Sequence, residues 1–220
     1  MQALLKQILM NNIITDEKYD SLWNQCRDFI DEHCIVRAEP GTYMEGKLEG
    51  SRYSWVFYLR NGLYRTDFLS AVTQMWMKRV HDEIGHFDFQ LSGLETASTP
   101  MIVGIPIYAQ VFGVNLNGFS IRKEQKEYAM KNWLEGGATE QPVMLMDDLS
   151  NSGNSLRKAY DILEWHNMDT FDTAFTLVNK VNEGVHDDNM DRDFMLPEHI
   201  KIMSLYTLDD FDLKGNVELH

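Results

Sequence analysis

The stretch Val143-Met-Leu-Met-Asp147-Asp148-Leu-Ser-Asn-Ser-Gly153-Asn-Ser155-Leu156 indicates the fold most clearly. Four apolar residues predict a buried strand, two carboxylates stand at its C-terminal end, and a run of small residues opens a helix over 156–165. Such a loop can wrap an anion, because backbone N–H groups and the helix N-terminus would point into it and Gly153 permits positive φ. The alternative is an ordinary strand-to-helix turn with a capping Ser or Asn, but two adjacent buried acids are costly as caps alone.

The two carboxylates suggest what else the ligand carries. Asp147 and Asp148 cannot bind a phosphate, so they should face hydroxyl groups or a hydrated metal ion. A ligand with both a phosphate and a ribose satisfies the loop and the acids together.

The rest of the chain alternates strand-like and helix-like patterns. Strands are predicted at 54–59, 87–91, 116–121, 143–146, 171–178 and 200–206, and helices at 68–80, 100–112 and 155–165, with Thr66 as an N-cap. This order predicts an α/β fold with a mainly parallel, doubly wound sheet and a ligand at the C-terminal ends of its strands. Residues 1–36 have helical periodicity and predict a helical cap.

Length and charge narrow the function classes. The 220 residues suit one domain, 1–220, which we divide into an N-terminal helical hood of about 1–50 and an α/β core of about 51–220. A net charge of −14 argues against nucleic-acid binding, so an anionic ligand needs a local basic site. The longest apolar run, 101–114, is shorter than the roughly 18 residues of a membrane span. Two cysteines without a CxxC spacing favour a reducing, cytoplasmic setting.

The stretch 143–156 resembles the phosphoribosyl pyrophosphate (PRPP) signature of the type I phosphoribosyltransferases. The segment from Arg122 to Gly136, with Lys123, Lys126 and Tyr128, is similar to the RKExKxYG…EG segment of the orotate phosphoribosyltransferases. It carries four cations and two Glu between 122 and 131, a local charge of +2 on an acidic protein. By itself this segment would be interpreted as a solvated helix face.

Three further segments extend the resemblance over most of the chain. Residues 93–102 are similar to the family's pyrophosphate loop, 54–63 to the segment whose paired aromatics cover the base, and 202–211 to its closing strand and short helix. By themselves, the first would be a plain Gly-rich turn and the second a half-buried strand. The first 40 or so residues carry little that matches.

The resemblance implies an Mg²⁺-dependent enzyme that transfers ribose 5-phosphate from PRPP to a ring nitrogen, as in the step of pyrimidine biosynthesis that uses orotate. Lys126 and Arg122 would stabilise the leaving pyrophosphate, and Asp148 would hold the ribose. The remaining PRPP contacts implied are Lys123, Tyr128, Asp147, Leu149, Ser150, Asn151, Ser152, Gly153, Asn154, Ser155, Thr96 and Ala97. Base contacts implied are Phe57, Tyr58, Asn151 and Lys180. Mg²⁺ would be carried by PRPP, with no direct protein ligand, and the family implies a homodimer that shares the basic loop.

Departures from the family pattern concentrate on the base side. Glu49 reverses the charge of a usual Lys, Asn151 replaces a usual Thr, and Lys180 replaces a usual Arg. A Lys gives up the bidentate recognition that Arg offers to a carboxylate. Three alternatives therefore stay open: transfer to another acceptor, a non-catalytic regulator that senses PRPP, and an unrelated nucleotide-binding α/β protein. Against the last alternative, the chain contains neither a Walker A sequence nor GxGxxG.

Overall fold

The structure, a computed structural model, describes residues 14–45, 52–124, 132–151, 153–180 and 196–213. Its centre is a six-stranded sheet with the order β10-β9-β8-β5-β6-β7. Every neighbouring pair is parallel except β6 and β7, which are antiparallel. The strands are β5 Gln90–Leu94, β6 Gly118–Ile121, β7 Leu134–Glu135, β8 Val143–Ser150, β9 Thr173–Asn179 and β10 Lys201–Thr207.

Helices cover both faces of this sheet. Alternate residues of β8 enter two apolar clusters: Met144 and Met146 pack in one cluster, and Val143 and Leu145 in the other. The first cluster includes residues of α3 (Thr66–Glu83) and α4 (Thr99–Val111), and the second includes residues of α5 (Asn154–Trp165). A strand that is buried on both faces needs apolar side chains in both phases of the alternation, which is why this segment is a continuous apolar run.

The N-terminal part packs against the sheet edge. It comprises α1 (Asp16–Phe29), a π-helical turn (Ile30–Cys34), and the short strands β1 (Ile35–Arg37), β2 (Met44–Glu45), β3 (Arg52–Tyr53) and β4 (Trp55–Phe57), followed by α2 (Arg60–Leu63). Strand β1 pairs antiparallel with β4, and β2 with β3.

Two side chains of α1 and α3 bond to backbone carbonyls of the edge strand β10. Trp23 Nε1 donates to the carbonyl of Leu205 at 2.9 Å, and Arg79 Nη1 donates to that of Ser204 at 3.1 Å. In return, the Tyr206 hydroxyl donates to the carbonyl of Trp23 at 2.9 Å. These bonds fix α1 on the sheet edge. The boundary expected near residue 50 lies in the undescribed range 46–51, so the division into hood and core stays a prediction.

Several boundaries differ from the sequence expectations. The helix predicted up to residue 36 ends earlier, because residues 35–37 pair as β1 with β4. Thr66 is the first residue of α3 and not its N-cap; the cap is Arg65, which makes no side-chain capping bond. The strand expected at 87–91 lies at 90–94, and β8 runs through both acids to Ser150. The backbone of β8 pairs with β9 as far as Ser150. This pairing outweighs the low strand propensity of the polar residues after 146.

Cys26 and Cys34 are both buried and free. Burial, chiefly, raises the pKa of the Cys26 thiol to about 12 and that of Cys34 to about 11, so both stay protonated at neutral pH. Within the described ranges, no helix is long and apolar enough to cross a membrane.

Gly93 allows a close approach between the central strands. A Cβ at this position would lie 2.1 Å from the carbonyl oxygen of Met146 and 2.9 Å from Ser98 Cβ. Gly93→Ala should therefore push β5 away from β8 and lower the free energy of unfolding by about 1–3 kcal/mol. Gly137→Ala, which meets no atom within 4 Å, is the matched control and should change it by less than about 0.5 kcal/mol. Urea titration of both variants measures the difference, and equal midpoints would contradict the proposed contact.

Candidate active site

A cleft of about 310 Å³ lies where the parallel strands end. Two of its walls follow the C-terminal ends of β5 and β6, a third is the last part of β8, and the fourth runs from the end of β4 to the start of α2. Its lining residues are Phe57, Tyr58, Leu59, Arg60, Thr96, Ala97, Lys123, Asp148 and Leu149. The predicted position of the ligand, at the C-terminal edge of the sheet, therefore coincides with this cleft.

The two acids of β8 differ in their access to the cleft. Asp148 lines the cleft, whereas Asp147 is only 6% exposed and pairs in register with Thr176 of β9. The Asp148 backbone N–H donates to Asp147 Oδ1 at 2.9 Å. A strand places successive side chains on opposite faces, so only one of two adjacent acids can face the cleft directly.

Burial raises the pKa of both acids. For Asp147 the effect of burial is reinforced by the charge of Asp148, and Lys123 opposes it. For Asp148 burial is the main cause as well, and the positive charge of Arg60 is the first opposing influence. Each carboxylate is therefore partly compensated by a cation from a different segment, which is the arrangement that two adjacent buried acids require.

The loop after β5 forms a second wall of the cleft. Thr96 and Ala97 line it, and the peptide bond between Glu95 and Thr96 is cis. The Ser98 hydroxyl donates to the carbonyl of Leu94 at 2.6 Å, and the Glu95 N–H donates to the carbonyl of Ile121 at 2.8 Å. These bonds hold the loop against the ends of β5 and β6. Both predicted PRPP contacts in this loop therefore reach the cleft.

The small-residue loop after β8 turns sharply into α5. Gly153 has φ +76°, the left-handed conformation that its position was predicted to permit, and the helix begins at Asn154. Asn151, Asn154 and Ser155 are exposed, and Ser152 lies outside the described residues. The Ser150 hydroxyl is buried with no hydrogen-bond partner in the described structure. Exposed small residues at a helix N-terminus suit the predicted phosphate role.

The basic segment is described only at its start. Lys123 lines the cleft, and its carbonyl accepts a hydrogen bond from Lys158 Nζ of α5 at 2.7 Å. Arg122 Nη1 lies 3.0 Å from Glu135 Oε1 of β7, so its guanidinium pairs with an acid of this chain. Lys126 and Tyr128 lie outside the described residues, and their predicted roles stay predictions.

The residues predicted to contact the base do not all line the cleft. Phe57 and Tyr58 line the cleft as predicted, but Lys180 has its ammonium 4.9 Å from the ring centroid of Trp55 and is not among the residues found to line it. Arg60 supplies a cation to this wall, and its role was missed although the resemblance placed it beside the aromatics. The available signal was an Arg two residues after an aromatic pair.

Comparisons with known proteins agree with this geometry at the level of the fold. The orotate phosphoribosyltransferase of Mycobacterium tuberculosis H37Rv superimposes with a TM-score of 0.65 at 17% identity, over 87% of this chain and 99% of that one. This chain has the type I phosphoribosyltransferase fold. The same M. tuberculosis enzyme in complex with PRPP gives a TM-score of 0.58 at 15% identity, over 91% and 95% of the two chains.

The phosphoribosyltransferase resemblance also holds at the level of sequence. The orotate phosphoribosyltransferase of Rhodopirellula baltica is 24% identical over 133 residues, which are 60% of this chain. The match spans 65% of that relative's length. No family model matches the chain. The predicted family resemblance and the predicted α/β fold class are therefore confirmed, and the relatives that support them are enzymes.

The buried acid Asp147 gives a prediction for stability. Because its pKa is raised in the folded state, folded protein binds this proton more tightly than unfolded protein. The free energy of unfolding should therefore fall as pH rises from the ordinary carboxyl range near 3.8 toward alkaline pH. Asp147→Asn keeps an acceptor for the Asp148 N–H and removes the buried charge, so it should be more stable than wild type at about pH 8.5, by on the order of 2 kcal/mol.

The measurement is urea unfolding at about pH 5.5 and about pH 8.5, with a smaller difference expected at the lower pH. Asp169→Asn, at an exposed position, is the matched control and should stay within about 0.5 kcal/mol of wild type. A variant that is less stable than wild type at both pH values would show that Asp147 is favourably ionised in the fold.

Proposed function

We propose that this protein is a phosphoribosyltransferase that transfers ribose 5-phosphate from PRPP to a ring nitrogen of a base. The observation that carries the proposal is the cleft, in which Asp148, the loop with Thr96 and Ala97, and Lys123 meet at the C-terminal ends of parallel strands. Each of these elements is chemically complementary to one part of PRPP. The relatives and solved structures that resemble the chain belong to the same class.

The donor would lie along the sheet edge. Asp148 accepts hydrogen bonds from the ribose hydroxyls. Asp147 holds the backbone of Asp148 in place, because its Oδ1 accepts a hydrogen bond from the Asp148 N–H. The loop 150–155 and the N-terminus of α5 bind the 5-phosphate. Lys123, with Lys126 and Tyr128 from the adjoining segment, takes the pyrophosphate, since lysine offers a mobile positive charge to an anion.

In the reaction, the bond between C1 of the ribose and the pyrophosphate oxygen breaks, and its electron pair leaves with pyrophosphate. The bond from the base nitrogen forms at C1, where positive charge has developed. Catalysis is then mainly electrostatic and positional, and no covalent nucleophile is required. Carboxylate oxygens such as those of Asp148 suit a hydrated Mg²⁺, which would neutralise the phosphate oxygens of PRPP when bound.

For the acceptor we propose orotate. The names of the relatives and the aromatic wall of Phe57 and Tyr58, which suits a flat ring, support this assignment. Transfer to a different base is the second candidate, favoured by Lys180, whose ammonium lies over Trp55. A PRPP-sensing regulator is the third, and the cations that line the cleft would serve binding as well as catalysis.

We also propose a homodimer. Val103, Ile107 and Val111 of α4 are 54%, 62% and 76% exposed, and their spacing puts them on one helix face. An apolar stripe of this kind is suited to burial against the same stripe of a second copy across a twofold axis. In such a dimer, the segment containing Lys126 would complete the site of the neighbouring subunit.

The first test is pyrophosphate release from PRPP and Mg²⁺ against a panel of bases that includes orotate. Wild type should release pyrophosphate with orotate, and Asp148→Asn should lower kcat/KM by roughly 100-fold and weaken PRPP binding in calorimetry, because an amide can misorient toward the ribose. Asp169→Asn should behave as wild type. Tight PRPP binding without release for any base would favour the regulator, and full activity of Asp148→Asn would refute the ribose contact.

The second test concerns the shared site. Lys126→Ala and Asp148→Asn, each nearly inactive alone, should regain activity when mixed under conditions of subunit exchange, because mixed dimers have one intact site and one doubly altered site. Half the dimers are mixed under random exchange, so recovery should approach about a quarter of wild type. Native mass spectrometry verifies the exchange. No recovery despite verified exchange would place Lys126 in the site of its own subunit.

A further inference from the structure

Arg60 occupies an unusual position in the cleft. It is the first residue of α2, two residues after Tyr58, and its guanidinium carbon lies 4.9 Å from the ring centroid of Tyr58. The side chain is half-buried and lines the cleft. Stacking on Tyr58 occupies one face of the guanidinium plane and leaves its N–H groups, which lie in that plane, free to bind a ligand.

The other arginines show what Arg60 lacks. Six of the eight arginines in the described ranges form an ion pair within 4.0 Å with an acidic side chain, namely Arg27, Arg37, Arg65, Arg79, Arg122 and Arg157. Neither an ion pair nor a hydrogen bond of Arg60 is found with any described residue. A guanidinium that lines a cleft without an acidic partner among the described residues can offer its N–H donors to an incoming anion.

The negative charge of Asp148 does not fill this role. Arg60 lowers the pKa of Asp148 through its field, but no bond joins the two side chains in the described structure. Asp148 faces the ribose in the proposed donor complex, so its oxygens are engaged by hydroxyl groups. The donors of Arg60 therefore remain available when PRPP is bound.

The location of Arg60 separates it from the phosphate sites. The predicted phosphate and pyrophosphate contacts follow β5, β6 and β8, whereas Arg60 comes from the aromatic segment after β4. A ring that stacks on this wall would bring its substituents beside the guanidinium. Arginine binds a carboxylate through two parallel N–H···O bonds, a geometry that lysine cannot provide.

We propose that Arg60 is the specificity-determining residue for the acceptor and binds a carboxylate substituent on the base. This inference rests on the proposed function and deepens it, because it assigns the recognition of an acidic base to a residue of the wall that follows β4. It also gives the base side a bidentate cation in place of the Arg that the family pattern has at the position of Lys180.

The test compares two bases that differ by one group. Orotate is uracil with a carboxylate on the ring, so the ratio of their kcat/KM values isolates that group. Arg60→Gln should lower kcat/KM for orotate by roughly 100-fold, leave uracil within about threefold, and leave PRPP binding within about twofold. Arg60→Lys should fall between wild type and Arg60→Gln. Arg52→Gln, at an exposed arginine that also has no ion pair within the described ranges, is the matched control and should keep the wild-type ratio.

The outcomes separate the inference from the function on which it rests. Assays at about pH 8.5 keep carboxylates ionised, and thermal unfolding checks that each variant is folded. If wild type transfers to neither base, the proposed function fails and the inference with it. A different result overturns only the inference: wild type uses orotate, but Arg60→Gln loses orotate and uracil activity equally or weakens PRPP binding. Arg60 would then act through its charge on Asp148 and would not bind the base.

Discussion

The burial of two adjacent carboxylates on a central strand is the constraint on which the site depends. Strand β8 pairs with β5 on one side and β9 on the other, so its backbone cannot shift to bring Asp147 into water. Water therefore cannot stabilise these charges, and cations must approach from other segments. Arg60 after β4 and Lys123 after β6 both do so. The two walls of the cleft are thus held near the strand end by charge as well as by packing.

The part of the architecture that follows local pattern could be predicted from the sequence. The apolar run 143–146 predicted the central strand, and the two acids after it predicted the edge of the sheet at which the cleft lies. The small residues before α5 predicted the positive φ of Gly153. Buried parallel strands and amphipathic helices bury their side chains periodically, so the sequence repeats that period. For the same reason, the order of strands and helices in the core was confirmed in its main features.

What could not be predicted depends on contacts between distant segments. Strands β1 and β4 have three residues each, too few to show an alternation, and they exist because they pair with each other. The placement of Lys180 over Trp55 is a cation–π contact that no local pattern signals. Arg60 resembles any surface arginine until the fold shows that it lacks an acidic partner among the described residues. Residues 125–131, which carry Lys126 and Tyr128, lie outside the described structure.

The bonds from α1 and α3 to strand β10 have a consequence for the behaviour of the chain in concentrated solution. β10 is a seven-residue strand at the sheet edge, whereas the opposite edge, β7, has only two residues. Open edge strands are templates on which a strand of another molecule can add, and this pairing leads to aggregation. Trp23 and Arg79 bond to the backbone carbonyls of Leu205 and Ser204, so α1 and α3 lie against β10 where such a strand would approach. The N-terminal helix thereby protects the longer edge of the sheet, and a chain that lost it would expose a surface suited to cross-molecule strand pairing.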